Sequence, residues 1–286
     1  MSGSADLFSE FPRREIAMAK VDTVFSGSIP SLYDEYLGPL IFEPYADDIA
    51  RRISALDPER VLETAAGTGI VTRALDRSLS PGASIVATDL NQPMLDHAAE
   101  RLSSSRVSWQ KADAQALPFP DAAFDAVVCQ FGAMFFPDRQ KAYREARRVL
   151  KPGGRFVFNV WDKLEHNEFA DLVTTAVADM FADDPPRFLA RTPHGYHDRD
   201  AVIAELRSAG FANVAAETLT RRSVAPSCRD PAIGFCQGSP LRSEIEARDA
   251  DRLIEATEAA AGKIAARFGN GPGDGMMQAH IFTASD

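Results

Sequence analysis

The spacing of apolar residues changes repeatedly along the middle of the chain. Short β-type runs, as expected of buried strands, lie at 61–62, 84–88, 107–110, 124–129 and 155–160. Between them, apolar residues recur at helical spacing in 70–79, 93–102 and 138–150. This alternation predicts a doubly wound α/β fold with a largely parallel, Rossmann-like sheet.

The second half of the chain is less regular. A helix is predicted at 198–209, ended by Gly210, and a strand is predicted at 214–224. Residues 245–268 carry apolar side chains at helical spacing, which predicts one amphipathic helix. A closing strand is predicted at 277–283. The remaining stretches, at about 161–197 and 226–275, are interpreted as helical insertions.

Composition and charge exclude several classes of protein. Of 286 residues, 45% are hydrophobic and 25% are charged, which is ordinary globular usage rather than disorder. The net charge of −10 disfavours a nucleic-acid partner and a polybasic membrane anchor. No apolar run reaches the roughly 18 residues of a membrane span, and the N-terminus lacks the apolar segment of a signal peptide. Cys129, Cys228 and Cys236 fit no disulfide or zinc pattern, so a cytoplasmic protein with reduced thiols is expected.

The first strand–helix turn carries the clearest chemical signal. Gly67 and Gly69 would let a ligand approach the backbone, and the helix start after them offers free N–H groups. Asp89 follows Gly69 by 89 − 69 = 20 residues, where a carboxylate can bind both ribose hydroxyls. A dinucleotide-binding oxidoreductase shares this layout. The missing third glycine counts against that class, and so does Glu63, because an acid in the turn would repel a pyrophosphate and suits a cationic ligand.

Four segments, taken in order, resemble one family. They are LETAAGTG at 62–69, ATDLNQPMLDHA at 87–98, ADAQALPFPDAAFDAVVCQF at 112–131 and REARRVLKPGGRFVF at 144–158. Together they resemble the class I S-adenosylmethionine-dependent methyltransferases of the ubiquinone/menaquinone-biosynthesis-like type. The resemblance implies a single domain over 1–286 with a seven-stranded sheet whose last strand is antiparallel. It implies an N-terminal lid at 1–55, a cofactor-binding core at 56–160, and substrate-side insertions and remaining strands at 161–286, the insertions forming a partial cap.

The resemblance also implies which residues hold the methionyl part of S-adenosylmethionine. Glu63 would lie near its amino group, with a structural acid bonded to loop amides as the alternative. Gln130 and Phe131, just past the fourth strand, match positions beside the methionyl chain. The loop that passes under the cofactor contains Ala65, Gly67 and Gly69. Ala65 stands where the family usually has glycine, so slightly less clearance is expected there.

A second set of residues is implied for the adenosine part. Asp89 matches the acid that binds both ribose hydroxyls. Leu90 and Met94 match apolar positions that flank the adenine, with core packing as the alternative for Met94. Asp113 matches the acid that takes the adenine amino group, and Ala114 offers its N–H to a ring nitrogen. The alternative for Asp113 is a turn-forming role.

The acceptor side carries the weakest pattern. The stretch SLYDEYLGPLIFEPYA at 31–46 resembles the family's lid, in which Tyr33 or Tyr36 would close over the cofactor unless they only pack in the core. The candidates after the fifth strand are Trp161, His166, His194, Tyr196 and His197. His194 and His197 are candidates for a catalytic base, although loop histidines more often serve as solvated or capping residues.

The activity that the resemblance implies is methyl transfer from S-adenosylmethionine to an oxygen, nitrogen or carbon atom of a small-molecule acceptor. The sulfonium methyl is already electrophilic, so no metal is expected. Two alternatives stay open: an NAD(P)-binding oxidoreductase of Rossmann type, and a non-catalytic S-adenosylmethionine-binding protein. The sequence CQFG stands at 129–132 in place of an amino-methylating Asn-Pro-Pro-Tyr motif, which with the negative net charge disfavours nucleic acid as the acceptor.

Overall fold

The computed structural model describes residues 27–286, so the first part of the expected lid and the segment examined for a signal peptide lie outside the described residues. The strands of the described part are β1 (Arg60–Thr64), β2 (Ser84–Asp89), β3 (Val107–Lys111), β4 (Phe124–Gln130), β5 (Leu150–Trp161), β6 (Asn213–Ala225) and β7 (Gly273–Ser285). They form one sheet in the order β3-β2-β1-β4-β5-β7-β6.

Strand directions confirm the predicted architecture. The five strands β1 to β5 run parallel to one another, whereas β7 runs antiparallel to both β5 and β6. The predicted closing strand begins earlier than expected, at Gly273. Strand β4 is buried at five of its seven positions, as its continuous apolar sequence requires of a strand covered on both faces.

The strand order reverses between β1 and β4, which pair in parallel with Val61 opposite Ala126. Connections leave such a switch point in opposite directions, so a crevice opens at the carboxyl ends of the strands. Thr64, Asp89 and Gln130 are the last residues of β1, β2 and β4. The fold therefore gathers the segments after these strands at one edge of the sheet.

Helices precede, connect and follow the strands. Their bounds are α1 (Ile29–Leu32), α2 (Glu43–Ser54), α3 (Ile70–Ser78), α4 (Gln92–Arg101), α5 (Arg139–Val149), α6 (Glu168–Met180), α7 (Phe188–Arg191), α8 (Arg199–Ser208), α9 (Arg229–Gln237), α10 (Leu241–Arg248) and α11 (Leu253–Phe268), with 3₁₀ turns at Ala133–Phe135, Leu164–His166 and Ala250–Arg252. Between α1 and α2, Tyr33–Phe42 is π-helical. Such wide turns are rare and often occur at functional sites.

The single helix predicted at 245–268 is wrong. Helix α10 ends at Arg248, and α11 begins at Leu253. Asp249 between them has extended backbone angles (φ −161°, ψ 107°), and its side chain accepts a hydrogen bond from the N–H of Asp251. An aspartate that bonds the backbone in this way starts a new helical turn. The apolar spacing continues across this break and so concealed it.

Two further features concern the described residues as a whole. No helix between residues 27 and 286 is both long and apolar enough to cross a membrane. All three cysteines lie in this part of the chain, and each has a free thiol; Cys129 and Cys236 are buried, and Cys228 is half-buried.

Candidate active site

The turn after β1 is held in a left-handed conformation. Ala65, Gly67 and Gly69 have φ values of 53°, 54° and 77°. For an alanine this conformation costs about 1–2 kcal/mol, whereas glycine adopts it freely. The methyl group of Ala65 lies against Gly132, where an added Cβ would come within 2.5 Å of it. The turn is thereby packed on the segment that follows β4.

The two glycines of this turn serve different purposes. A Cβ placed on Gly67 would meet nothing within 4 Å, so its backbone faces open space, as a ligand-binding loop requires. A Cβ on Gly69 would lie 2.8 Å from the ring of Trp109 and 3.0 Å from Ala98. The missing side chain of Gly69 thus makes room for β3 and α4, and the contact of its backbone with a ligand stays a prediction.

Asp89 links the turn after β1 to the segment after β2 at the crevice. Its carboxylate accepts hydrogen bonds from the N–H of Gly67 and the N–H of Asn91, both at 2.8 Å. Burial raises the pKa of Asp89, although these N–H donors oppose the shift. Two oxygens with about four acceptor positions leave capacity for further donors, such as hydroxyl groups.

Glu63 is buried beneath the same turn. Its Oε2 accepts a 2.6 Å hydrogen bond from the hydroxyl of Thr72. Burial raises the pKa of Glu63 to about 8, with the Thr72 hydrogen bond opposing the shift and the nearby Asp89 carboxylate adding to it. A carboxyl group poised near neutral pH gains its charge most readily when a cation approaches.

The positions expected around an adenine differ in exposure. Leu90 is 52% exposed, which is unusual for a leucine and leaves an apolar face open beside Asp89. Met94 is only 3% exposed and lies on the buried face of α4. Asp113 is half-buried, and one carboxylate oxygen accepts the N–H of Gln115 at 2.8 Å. Ala114, next to it, is also half-buried.

Gln130 is the last residue of β4, and Phe131 follows it at the centre of the crevice. The amide nitrogen of Gln130 donates to the carbonyl of Phe42 at 3.2 Å, while its Oε1 is buried with no hydrogen-bond partner in the described part of the protein. Phe131 has a left-handed φ of 49°, a strained conformation for a bulky residue, and its N–H donates to the side chain of Asn159. Backbone strain of this kind is concentrated at functional sites.

An apolar cavity of about 70 Å³ lies next to Phe131. Aromatic side chains from distant parts of the sequence line it: Tyr33, Phe42, Phe131, Phe135, Trp161 and Phe188. Phe131 and Trp161 stack face to face with ring centroids 3.7 Å apart. The cavity is small, and its walls are largely apolar.

Tyr33 joins the cavity to the crevice, whereas Tyr36 does not line the cavity. The ring of Tyr33 stacks on Phe42 with centroids 4.7 Å apart. Burial and the carboxylates of Asp89 and Asp34 raise the pKa of Tyr33 well above its usual range. Tyr36 is half-buried and packs its Cβ near Gly234 instead.

The candidates after β5 separate into two groups. Trp161 and His194 line the cavity, with ring centroids 6.0 Å apart. His197 is within 2.8 Å of the carbonyl of His194, and His166 is half-exposed and bonded to Asp162 at 2.8 Å. Neither of these two lines the cavity.

Tyr196 does not line the cavity either. Its hydroxyl lies 3.0 Å from that of Tyr143 and donates to Glu205, and the guanidinium of Arg139 covers its ring at 4.2 Å. The expectation of a substrate-side Tyr196 is therefore corrected, because these buried polar partners fix the ring between α5 and α8. Among residues 27–286, no group of three or more His, Cys, Asp or Glu side chains is arranged to hold a metal ion.

No pattern in the sequence pointed to the role of Asp34. This residue is 6% exposed and accepts hydrogen bonds from Thr68 at 2.9 Å and Arg73 at 3.0 Å. Arg101 lies 3.1 Å from the same carboxylate, and His97 lies 3.4 Å from it. Burial opposes ionisation, but the arginines and Thr68 lower the pKa of Asp34 overall. The N-terminal helical segment is thus tied to the turn after β1 and to α3 and α4.

Replacing Asp34 with asparagine should weaken the contact of the N-terminal helical segment with the turn after β1 and with α3 and α4. The amide keeps the volume but removes the charge that pairs with Arg73 and Arg101, and we expect a loss of about 1–3 kcal/mol in the free energy of unfolding. Amide hydrogens of 29–42 should exchange faster. Urea titration and hydrogen exchange measure the two effects. Asp47→Asn is the matched control, because Asp47 forms an exposed pair with Arg77 and should change little. Unchanged exchange in 29–42 would contradict the prediction.

Known proteins are similar to this chain over the segment that contains the residues of the crevice. A family model described as "Methyltransferase domain" matches residues 62–158. The "Ubiquinone/menaquinone biosynthesis C-methyltransferase UbiE" of Yersinia enterocolitica is 33% identical over 180 residues, which cover 58% of this chain and 72% of the relative. The protein of the same name from an Enterobacter species has the same identity and coverage.

Solved structures share the fold at lower identity. The YcgJ protein of Bacillus subtilis superposes with a TM-score of 0.54 at 20% identity, covering 85% of this chain and 98% of that one. Phosphoethanolamine N-methyltransferase 2 of Haemonchus contortus gives a TM-score of 0.57 at 17% identity, covering 90% of this chain and 57% of that one. At these identities the likeness establishes the architecture of the sheet and its helices.

Proposed function

The chain belongs to the class I S-adenosylmethionine-dependent methyltransferases of the UbiE-like type, and we propose that its acceptor is a small hydroxylated aromatic molecule. It is an enzyme that transfers a methyl group from S-adenosylmethionine. The oxidoreductase and the non-catalytic binding protein are not favoured. The observation that carries the proposed acceptor class is the aromatic cavity beside Phe131 and Trp161.

The residues of the crevice fit the cofactor. We propose that Asp89 binds the ribose hydroxyls, because its carboxylate retains acceptor capacity at the end of β2. The exposed side chain of Leu90 is suited to one face of the adenine. We assign the adenine amino group to Asp113, whose second carboxylate oxygen has only a weak 3.4 Å contact with Gln115. Ala114 would contribute its N–H beside it.

The methionyl part has matching partners. The buried Oε1 of Gln130 lacks a donor in the described structure, and an amino group would supply one. Glu63 would become charged as this cation approaches. The open backbone at Gly67 leaves space for the ligand to pass over the turn. Phe131 and Tyr33 would then lie where the cofactor meets the acceptor, since both line the cavity.

The walls of the cavity support an aromatic acceptor. A flat ring can lie against the stacked pair of Phe131 and Trp161 or meet its edges, which are the favoured aromatic geometries. The relatives are named for ubiquinone and menaquinone biosynthesis and for methylation at carbon. A ring hydroxyl activates both its own oxygen and the neighbouring ring carbons, so either atom of such an acceptor is a suitable nucleophile.

This placement gives the cofactor and the protein different roles in methyl transfer. S-adenosylmethionine, when bound, supplies a methyl group on a positively charged sulfur. The protein's own residues hold the acceptor ring in line with that methyl group, at the separation of about 3 Å that methyl transfer needs. The dry aromatic walls exclude water, which would compete as a nucleophile and weaken the electrostatic interactions at the site.

The acceptor is proposed to be a free small molecule rather than nucleic acid. The net charge of −10 gives no support for binding a phosphate backbone, and the cavity is small and largely apolar. A reducing, cytoplasmic environment is part of the same proposal, since the three thiols are all free.

A panel of acceptors tests the proposal. Purified protein with methyl-labelled S-adenosylmethionine should transfer label to hydroquinones and catechols at least about tenfold faster than to aliphatic amines of similar size. Phe135→Ala should extend activity to larger rings, because Phe135 lines the cavity. Phe119→Ala is the matched control, since Phe119 is also half-buried but packs on Phe124 instead. Labelling of amines alone would overturn the proposed acceptor class.

A further inference from the structure

The cavity wall contains few polar side chains, and most are already bonded within the protein. The hydroxyl of Ser223 donates to the carbonyl of Leu40 at 2.8 Å, and that of Ser239 donates to the carbonyl of Phe235 at 2.6 Å. The amide nitrogen of Asn167 donates to backbone carbonyls, and its oxygen accepts the N–H of Gln278 at 3.1 Å. These groups are committed to the fold.

Tyr33 and His194 also line the cavity, and they differ in the chemical groups that they offer. Burial and two carboxylates raise the pKa of Tyr33, so its phenol keeps its proton. The Nδ1 of His194 lies 2.8 Å from the carbonyl oxygen of Asp162. A carbonyl can only accept, so Nδ1 carries the hydrogen and Nε2 carries a lone pair. Among residues 27–286, no group hydrogen-bonds to this Nε2.

The imidazole is held in this orientation by the segment after β5. Asp162 follows Trp161, and its N–H donates to the carbonyl of Gln278 at 3.1 Å, which fixes the carbonyl that faces His194. The carboxylate of Asp162 is bonded to His166 at 2.8 Å and to His280 at 3.1 Å. An anchored neighbour of this kind sets both the tautomer and the ring direction of a histidine.

We propose that His194 is the general base of the reaction, its Nε2 accepting the hydroxyl proton of the aromatic acceptor as the methyl group is transferred. This inference rests on the proposed function. The acceptor oxygen, or the ring carbon that it activates, forms the new bond to the methyl carbon. The carbon–sulfur bond breaks with its electron pair moving to sulfur. The hydroxyl proton goes to Nε2. In methylation at carbon the ring proton then leaves to solvent and the oxygen takes a proton back from the imidazolium, so that one proton is released overall.

Charge is conserved at the site during this step. The positive charge of the sulfonium is lost as the imidazolium of His194 forms, so a buried region exchanges one cation for another. Burial lowers the pKa of His194 to about 4, so the lone pair is present throughout the neutral range. The carbonyl and the carboxylate of Asp162 stabilise the imidazolium, while His197, within 2.8 Å of the carbonyl of His194, opposes it. Glu165 adds a weaker favourable field.

His194→Asn provides the test. Asparagine can still donate to the carbonyl of Asp162, but it has no group at the position of Nε2. We expect kcat to fall by about 10²-fold or more for phenols of ordinary acidity, with a smaller change in KM. The loss should shrink for 4-nitrophenol, which is largely ionised without a base. An equal loss for all phenols, or no loss, would overturn the role of His194. His166→Gln is the matched control, bonded to Asp162 but not lining the cavity.

A binding measurement separates this inference from the proposed function. Quenching of Trp161, 6.0 Å from His194, should report tighter binding of 4-methylphenol, which keeps its hydroxyl proton at neutral pH, than of 4-methylanisole in the presence of S-adenosylhomocysteine. In His194→Asn, and in His194→Leu as a second variant, this preference should disappear. Equal binding of both probes by the wild type would overturn the inference even if other acceptors are methylated. A preserved preference with no methylated phenol would overturn the proposed acceptor class and leave the hydrogen-bond acceptor at Nε2 intact.

Discussion

Replacing Asp89 with alanine should weaken the binding of S-adenosylhomocysteine by about 10³-fold. Hydrogen bonds to a charged group contribute about 1.5–3 kcal/mol each, and two ribose hydroxyls would lose their acceptor together. Asp89 also holds the N–H groups of Gly67 and Asn91 at 2.8 Å, so the turn under the ligand would lose its anchor. Isothermal titration calorimetry with the wild type and the variant measures the difference.

Two controls separate ligand binding from folding in this experiment. Asp96→Ala removes an exposed acid of α4 that bonds Gln92, and the affinity should stay within about twofold. Asp89→Asn keeps the shape but puts an amide donor against N–H donors, so an intermediate loss is expected. Thermal unfolding of each variant shows whether the fold persists. A folded Asp89→Ala protein with wild-type affinity would remove the ribose assignment.

The part of the fold that the sequence predicts well is the part built from local patterns. Each of the strands β1 to β5 lies where an apolar run is bounded by turn-forming residues, and Asp138 caps α5 as its position before that helix suggested. The failure at 245–268 has the same origin. Apolar spacing reports which face is buried, but it does not register a cap such as Asp249, whose effect depends on its own backbone angles.

Contacts between distant segments could not be predicted from local patterns in the sequence. Asp34 meets Thr68 and Arg73 only because the fold brings the N-terminal segment over the turn after β1. No periodicity links residues so far apart in the chain. The loop at 194–197 gives a second example, since His194 faces the cavity while Tyr196 bonds to Tyr143, and an irregular loop has no period from which these directions follow.

The candidate functional site could be predicted from the sequence only in part. Gly67 and Asp89 come directly after β1 and β2, and the carboxyl ends of parallel strands meet at one edge of the sheet. Their proximity therefore follows from strand order alone. The cavity does not, because its walls come from segments such as Tyr33–Phe42, α7 and the start of β7, and their packing depends on tertiary contacts.

Replacing Glu63 with glutamine should change how stability depends on pH. Burial raises the pKa of Glu63 to about 8, above its ordinary value of 4.5. Between these values the native state holds a proton that the unfolded state has lost, so stability falls as pH rises, by about 1.4 kcal/mol per pH unit. The total for this group is about 4–5 kcal/mol. Urea unfolding of the ligand-free protein at pH 6, 7 and 8 should show this slope in the wild type and lose it in Glu63→Gln.

A control acid shows that the slope belongs to Glu63. Burial opposes ionisation of Asp125, but its hydrogen bonds, among them one from Lys151, lower its pKa overall, so Asp125→Asn should shift stability by a constant amount between pH 6 and 8. Glutamine can keep the hydrogen bond from Thr72, so the variant should remain folded. Identical slopes for the wild type and Glu63→Gln would show that this carboxyl is already ionised in the ligand-free protein.

The same variant decides between the two roles open to Glu63. If its carboxyl faces the amino group of the cofactor, binding of that cation favours the charged form, and the wild type should release up to one proton near pH 7. If the acid only bonds to Thr72, binding should release none through this group. Calorimetry in two buffers with different ionisation enthalpies counts the protons. Release by the wild type that is absent in Glu63→Gln, together with a weaker and less pH-dependent affinity in the variant, is the expected result. Equal release by both proteins would assign Glu63 to the structural role.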